Sequence, residues 1–276
     1  MTAMLTSMTI NPVAFDIFGW PIYWYGLIIG LGMFIGISLG CREFKSKRFN
    51  EDFILNMLMW AIPIGFIGAR LYYVIFEWDY YRHNLSEIVQ IWNGGIAIYG
   101  GIIAAVLTIY WYCRRQGILF LFILDVMAPY LLLVQAIGRW GNFVNQEAHG
   151  GPVSVAFLRE TLHLPEFIVQ GMYIDGTYYH PTFLYESIWN FVGFAVLSYL
   201  RSKPHLLKEG ATTALYCIWY GCGRFFIEGM RTDSLMLGPV RVSQILSLIL
   251  VLAGIIGFIY LQRDKYRIYY SEIRGF

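Results

Sequence analysis

The 276-residue chain is 14% charged and 58% hydrophobic, with a mean hydropathy of +0.54, whereas a soluble domain carries roughly 25% charge. A soluble fold needs a polar coat that this composition cannot supply, and high apolar content with only four Cys excludes disorder, collagen-like sequence and a disulfide scaffold. The net charge of +2 argues against nucleic-acid binding, and an integral membrane protein remains.

A membrane-crossing helix takes about 20 mostly apolar residues. In chain order such stretches fall at Trp20–Gly40, Phe53–Phe76, Ile88–Tyr112, Ile118–Ile137, Thr182–Leu200, Ala211–Ile227 and Val240–Leu261. The expected fold is therefore an all-α bundle of seven transmembrane helices forming one membrane domain over residues 1–276. Pro63 marks a site for a kink or tilt in the second span. In the third, Gly94–Gly95 and Gly100–Gly101 suit either close helix contact or an irregular lead-in. Segments 41–52, 113–117, 201–210 and 262–276 carry thirteen Lys and Arg, against four in segments 1–18, 77–87, 138–181 and 228–239. The positive-inside rule then puts the N-terminus outside and the C-terminus in the cytoplasm. The first span lacks a basic leader, so a retained helix is expected there and not a cleaved signal peptide.

One insertion, Asn142–Pro181, interrupts the bundle on its outer side. A segment of mixed polarity within it, Val153–Leu164, suits an amphipathic surface helix.

Two runs place polar residues where a bilayer penalises them. Gly138-Arg139-Trp140-Gly141-Asn142-Phe143-Val144-Asn145-Gln146-Glu147 closes the fourth span. Continued as a helix, it aligns Arg139, Asn142 and Gln146 on one face. A planar guanidinium there suits phosphate or carboxylate, although a polar helix end at the interface is the plainer reading. The second run, Tyr220 through Arg231, contains Arg224, Glu228 and Arg231 at helical spacing. It fits either a self-neutralising Arg224–Glu228 pair that orders helix packing or an anion site near the outer face.

Weaker signals are Tyr25, Tyr99 and Arg70, the last placed to snorkel to the interface. Asp125 reads as a helix-end carboxylate. His180 opens the fifth span as a solvated edge residue, with Glu186 about one turn further in. No H-E-x-x-H, Walker loop, G-x-S-x-G or metal-ligand spacing occurs, so no metal and no cofactor are expected. Any chemistry would run on Arg, Tyr, Glu and amides at a lipid–water boundary.

The run Gly138 through Gly150 resembles the signature of bacterial phosphatidylglycerol–prolipoprotein diacylglyceryl transferases at every fixed position. The likeness extends to Asn11-Pro12, Trp24-Tyr25-Gly26, Gly68-Ala69-Arg70-Leu71, His180-Pro181-Thr182, Leu184-Tyr185-Glu186 and Tyr220 through Arg231. It implies a multi-pass enzyme of the bacterial cytoplasmic membrane, with its site toward the extracytoplasmic side. The implied partners are phosphatidylglycerol, the lipobox signal peptides of prolipoproteins and membrane lipid. Arg139, Arg224, Tyr99 and Glu228 are the implied catalytic residues. Arg139, Asn142, Asn145, Glu147, Gly150, Tyr25 and Arg231 are implied for substrate binding. One departure stands out: many members have His-Gly-Gly where this chain has Tyr99-Gly100-Gly101. A phenol, titrating near pH ~10, is a poor base at neutral pH but a good hydrogen-bond donor.

Two other classes compete. A transporter would show inverted repeats and broken helices in matching halves, which the sequence lacks. An intramembrane aspartyl protease would need paired Asp near the outer face, and Asp16, Asp79, Asp175 and Asp233 lie in no convincing span.

Overall fold

The computed structural model describes residues 11–50, 52–232, 236–238 and 240–275; Asp233 lies outside them. Among the described residues, seven helices of 19 to 25 residues account for most of the structure: α1 (Trp24–Ser46), α2 (Asp52–Phe76), α3 (Ile98–Gln116), α4 (Phe120–Val144), α5 (Thr182–Ser202), α6 (Ala211–Met230) and α7 (Val242–Arg263). Five of them, α1, α2, α4, α5 and α7, are long and apolar enough to cross a membrane. The other two are diluted by polar residues: α3 ends on Arg114 and Arg115, and α6 carries Arg224 and Glu228.

Several boundaries differ from expectation for local reasons. Trp20–Tyr23 is a strand paired with Val13–Ile17 instead of the first turns of a helix. Phe18 and Gly19, both at positive φ, form the two-residue turn between them. The third stretch becomes helical only at Ile98, because Leu85–Asn93 is spent on 3-10 turns and Gly94 and Gly95 take φ of 83° and 70°. The fourth runs past Ile137 to Val144, so the signature opens inside a helix. The seventh starts at Val242, after a second short hairpin of Met236–Leu237 and Val240–Arg241. α2 continues through Pro63.

The chain divides into two compact units, one comprising the residues up to Leu39 with Asp125–Ile273, the other Gly40–Leu124 with the residues from Arg274. In the second unit, α2 and α3 approach at small residues: a Cβ on Gly68 would collide with Ala104, and one on Gly100 with Tyr72. Small residues at such a contact let two helix backbones approach closely.

Arg70, expected to snorkel, does the opposite. It is buried, and its guanidinium donates to the carbonyls of Glu87 (2.6 Å), Ile88 (2.8 Å), Gly94 (2.8 Å) and Gly95 (2.6 Å). It also lies 5.1 Å from the Tyr81 ring centroid. The irregular lead-in to α3 leaves carbonyls without helical partners, and one planar fork reaches those of Ile88, Gly94 and Gly95 together with that of Glu87, which also accepts from Gln90 N.

The first unit holds most of α1, α4 from Asp125 onward, and α5 to α7. α5 and α6 are joined by a reciprocal clasp: Trp189 Nε1 donates to the Trp219 carbonyl and Trp219 Nε1 to that of Trp189, each at 3.0 Å, with the rings stacked. Gly193 and Gly223 leave the space that the two indoles fill. At the far end of these helices from the signature, Asp125 is fully buried rather than a solvated helix end. It accepts from Gly210 N (2.5 Å), Thr213 N (2.7 Å) and Thr213 Oγ1 (2.7 Å), so it caps α6 from a different helix. Arg201 beside it donates to the carbonyls of Asp125 and Val126, both at 2.8 Å.

The insertion has its own small core. A three-stranded sheet of Pro152–Val153, Thr177–Tyr179 and Tyr173–Ile174 adjoins the helix Glu166–Gly171. Phe143, Leu158, Ile168, Val169, Met172 and Phe183 are buried together beneath it. The amphipathic helix expected over Val153–Leu164 is reduced to one π-helical turn, Phe157–Thr161. Leu158 is buried in this core, so one side of the turn packs on protein. On its exposed side Arg159 grips Glu166 through two bonds of 2.6 and 3.1 Å, which holds that carboxyl below the usual range.

Candidate active site

The signature opens in the last turns of α4, where Arg139 and Asn142 lie one turn apart. Arg139 Nη1 donates to Asn142 Oδ1 (3.2 Å), and Asn142 Nδ2 donates to Glu147 Oε1 (2.8 Å). Gln146 does not extend this face. The helix has stopped at Val144, Gln146 has φ of 53°, and its amide reaches the Gly171 carbonyl at 3.0 Å. Tyr25, at the start of α1, lies against Gly141, where any Cβ would strike its ring.

The two polar runs meet through a residue that neither contains. Glu186 of α5 pairs with Arg139 Nη2 through Oε1 (2.7 Å) and with Arg224 Nη1 through Oε2 (3.4 Å). Arg224 Nη2 is also 2.6 Å from Glu228 Oε2, one turn along α6. Both carboxylates are buried, at 3% and 2% exposure, while the arginines are partly exposed. Of the two readings open for Arg224, self-neutralisation is thus present but incomplete: its guanidinium is shared between two helices and linked to Arg139. Buried ion pairs return little net stability, so four charges drawn from three helices are poorly explained by packing alone. Among the described residues, the Nε–H donors of Arg139 and Arg224 make no hydrogen bond, which leaves capacity for an anion.

Arg231 does not line up with Arg224 and Glu228. α6 ends at Met230, and Arg231 is extended, with ψ of 146°. Its backbone instead bridges to Gly150, so the ends of the two runs are joined in the chain's own sheet bonding. Gly150 sits where a Cβ would press on His180, Thr182 and the Met230 carbonyl, a packing reason for glycine at that position. Arg241, which the sequence did not single out, donates to the Glu228 carbonyl and closes the end of α6. His180 is not a solvated edge residue: it is part-buried, with Nδ1 3.2 Å from the Tyr185 hydroxyl, and burial lowers its pKa. Glu147 touches neither arginine directly; Asn142 stands between Glu147 and Arg139. Asn145 follows the last residue of α4, and its N–H donates to the Gly141 carbonyl at 3.0 Å. Tyr99 is exposed in the first turn of α3, within the other unit.

A family profile described as prolipoprotein diacylglyceryl transferase matches residues 12–260. The chain belongs to this family. It is 51% identical over 263 residues to a phosphatidylglycerol–prolipoprotein diacylglyceryl transferase of Pediococcus pentosaceus, covering 95% of this chain and 94% of that protein. Proteins of the same name from Ligilactobacillus salivarius and Listeria innocua are each 53% identical. The former alignment covers 91% of this chain and 93% of the relative, the latter 95% and 94%. The Gly138–Gly150 run and the Glu186-centred cluster meet at one end of α4, α5 and α6.

Glu186 is the residue the sequence under-read. A carboxylate one turn inside an apolar helix was the available signal, but its partners lie 38 and 47 positions away and only packing brings them together. Glu186→Gln is expected to lower transfer of a diacylglyceryl group by more than ~10-fold, with Glu186→Asp recovering part of it. Steady-state kinetics on a lipobox peptide test this; unchanged kcat and KM in Glu186→Gln would leave Glu186 a packing residue.

Proposed function

We propose that the chain transfers the diacylglyceryl group of phosphatidylglycerol to the lipobox cysteine of prolipoproteins, the first step of bacterial lipoprotein maturation. The observation that carries the assignment to these residues is the Arg139–Glu186–Arg224 bridge, which ties the Gly138–Gly150 run to the Tyr220–Arg231 run. The substrate cysteine is the nucleophile, so the enzyme needs no serine or cysteine of its own. Its sulfur attacks the glyceryl carbon, a thioether forms, and the C–O bond to phosphate breaks to release glycerol 1-phosphate.

Charge develops on the departing phosphate, and cationic donors aimed there lower the barrier. Arg139 and Arg224 take that role, with Glu228 and Glu186 holding them. Asn142 and Asn145 orient the head group, with Glu147 fixing the Asn142 amide. Gly150 and Arg231 close the same end of the substrate site, and Tyr25 donates to phosphate or hydroxyl oxygens. No metal, cofactor or nucleic acid enters the reaction.

The seven-span reading places α3 and α6 in the bilayer with the five more apolar helices. In this topology the N-terminus is outside, the C-terminus and thirteen Lys and Arg face the cytoplasm, and the Asn142–Pro181 insertion stands over the outer leaflet. The enzyme thus acts at the extracytoplasmic face of the bacterial cytoplasmic membrane, where membrane lipid and secreted substrate meet.

Mass spectrometry of a lipobox peptide incubated with detergent-solubilised protein and phosphatidylglycerol tests the reaction. The expected product carries a diacylglyceryl mass on its cysteine. A transporter would leave the peptide unmodified.

A further inference from the structure

We propose that His149 is the general base that removes the proton from the acceptor thiol. This rests on the transfer reaction above and supplies a group that reaction needs. A cysteine thiol has a pKa near about 8.5 and is mostly protonated at neutral pH. Glu186 and Glu228 are already engaged by the guanidiniums of Arg139 and Arg224. One oxygen of Glu147 takes the Asn142 amide. Imidazole is the side-chain class suited to this work near neutral pH.

The surroundings of His149 fit the role. Its Nδ1 lies 3.1 Å from the Gly150 carbonyl oxygen. That oxygen can only accept, so Nδ1 carries the hydrogen and Nε2 keeps its lone pair. The ring packs against Tyr179, with centroids 4.1 Å apart and planes at 36°, and is only partly buried. His149 also lines a small cavity with Asn142, Gln146 and Glu147, large enough for about one water. Asn142, which lines the same cavity, accepts from Arg139 Nη1 at 3.2 Å. Gln146 and Ala148, just before His149, are non-glycine residues at φ of 53° and 58°. Backbone strain of this kind concentrates at functional sites.

In the step itself, the S–H proton passes to Nε2, directly or through one water. The sulfur lone pair then forms the C–S bond, and the C–O electrons leave on the phosphate oxygen. Glycerol phosphate departs, and the imidazolium returns its proton to that phosphate or to solvent.

His149→Asn discriminates between a catalytic and a structural role. The Asn amide N–H overlays Nδ1–H and still reaches the Gly150 carbonyl, but it places no base at the position of Nε2. Transfer at pH 7 is expected to fall ~10²-fold or more. The deficit should narrow as pH rises through about 8.5, where the thiol ionises unaided. Activity within threefold of the unaltered protein at pH 7, or a deficit equal at every pH, overturns the proposal. If that variant does not fold, His149→Gln decides by the same two readings: activity within threefold of the unaltered protein at pH 7, or a deficit equal at every pH, overturns the assignment. Glu147, Tyr179, His180 and Arg231 are the other titratable or charged residues on adjoining elements, and Glu147→Gln controls for the nearest carboxylate. If unaltered protein never modifies the peptide, the transfer reaction fails, and this proposal with it.

Discussion

Arg139→Ala and Arg224→Ala each lower diacylglyceryl transfer by ~10³-fold or more in a purified assay with phosphatidylglycerol and a lipobox peptide. Removing one preorganised donor from a transition-state anion site costs about 10²–10³ in rate, or roughly 2.7–4 kcal/mol. Here each donor is also a full charge. Alanine has a second effect, because it strips a partner from Glu186, and breaking a buried pair costs about 3–5 kcal/mol of stability. The lysine variants separate the two. Arg139→Lys and Arg224→Lys retain a cation near Glu186 but lose the planar fork. They should melt close to the unaltered protein while transfer stays low. Near-normal turnover in either alanine variant would remove that arginine from the mechanism, and full activity in a lysine variant would reduce the role to charge alone.

Arg70→Ala is expected to lower stability by at least ~3 kcal/mol without touching the proposed active site. The carbonyls of Ile88, Gly94 and Gly95 lose their donor at once, while Glu87 keeps the Gln90 N–H, and a buried acceptor left unsatisfied costs about 1–3 kcal/mol. Lysine should not rescue, since an ammonium has three donors and no fork with which to reach Glu87, Ile88, Gly94 and Gly95 together. Thermal unfolding in detergent measures this directly. A melting temperature for Arg70→Ala equal to that of the unaltered protein would mean that water satisfies the lead-in to α3 equally well.

Arg70 also shows where a sequence reading of a membrane protein stops. An arginine near a helix end has two outlets, the interface or the protein's own backbone. Local sequence does not choose between them, because the carbonyls that bind Arg70 lie 17 to 25 residues away. Asp125 has the same history. As a carboxylate early in α4 it looks solvated, yet its donors come from Gly210 and Thr213 at the start of α6. The third span begins later than its hydropathy suggests because Gly94 and Gly95 take positive φ, a conformation apolar content does not encode. Of the two uses the sequence left open for the glycine pairs, Gly94–Gly95 take the irregular lead-in and Gly100 the close helix contact, a choice that depends on Tyr72 and Gly68 of α2.

At the candidate site the division is sharper. Arg139, Asn142, Arg224 and Glu228 stood out from the sequence because lipid makes every charge in an apolar stretch expensive, and the signature named its family. Gln146 and Arg231 were aligned with them by helical periodicity, but α4 ends at Val144 and α6 at Met230, so both leave their helices. The amino-acid sequence by itself determined the solvent, the main apolar helices and the identity of the rare polar residues, all of which follow from transfer free energies that add up locally. Only the tertiary structure decided that Glu186 joins Arg139 to Arg224 and that Arg70 is a backbone clamp. Those outcomes depend on which helices and turns meet within about 3 Å, the range over which charge and hydrogen bonding become specific.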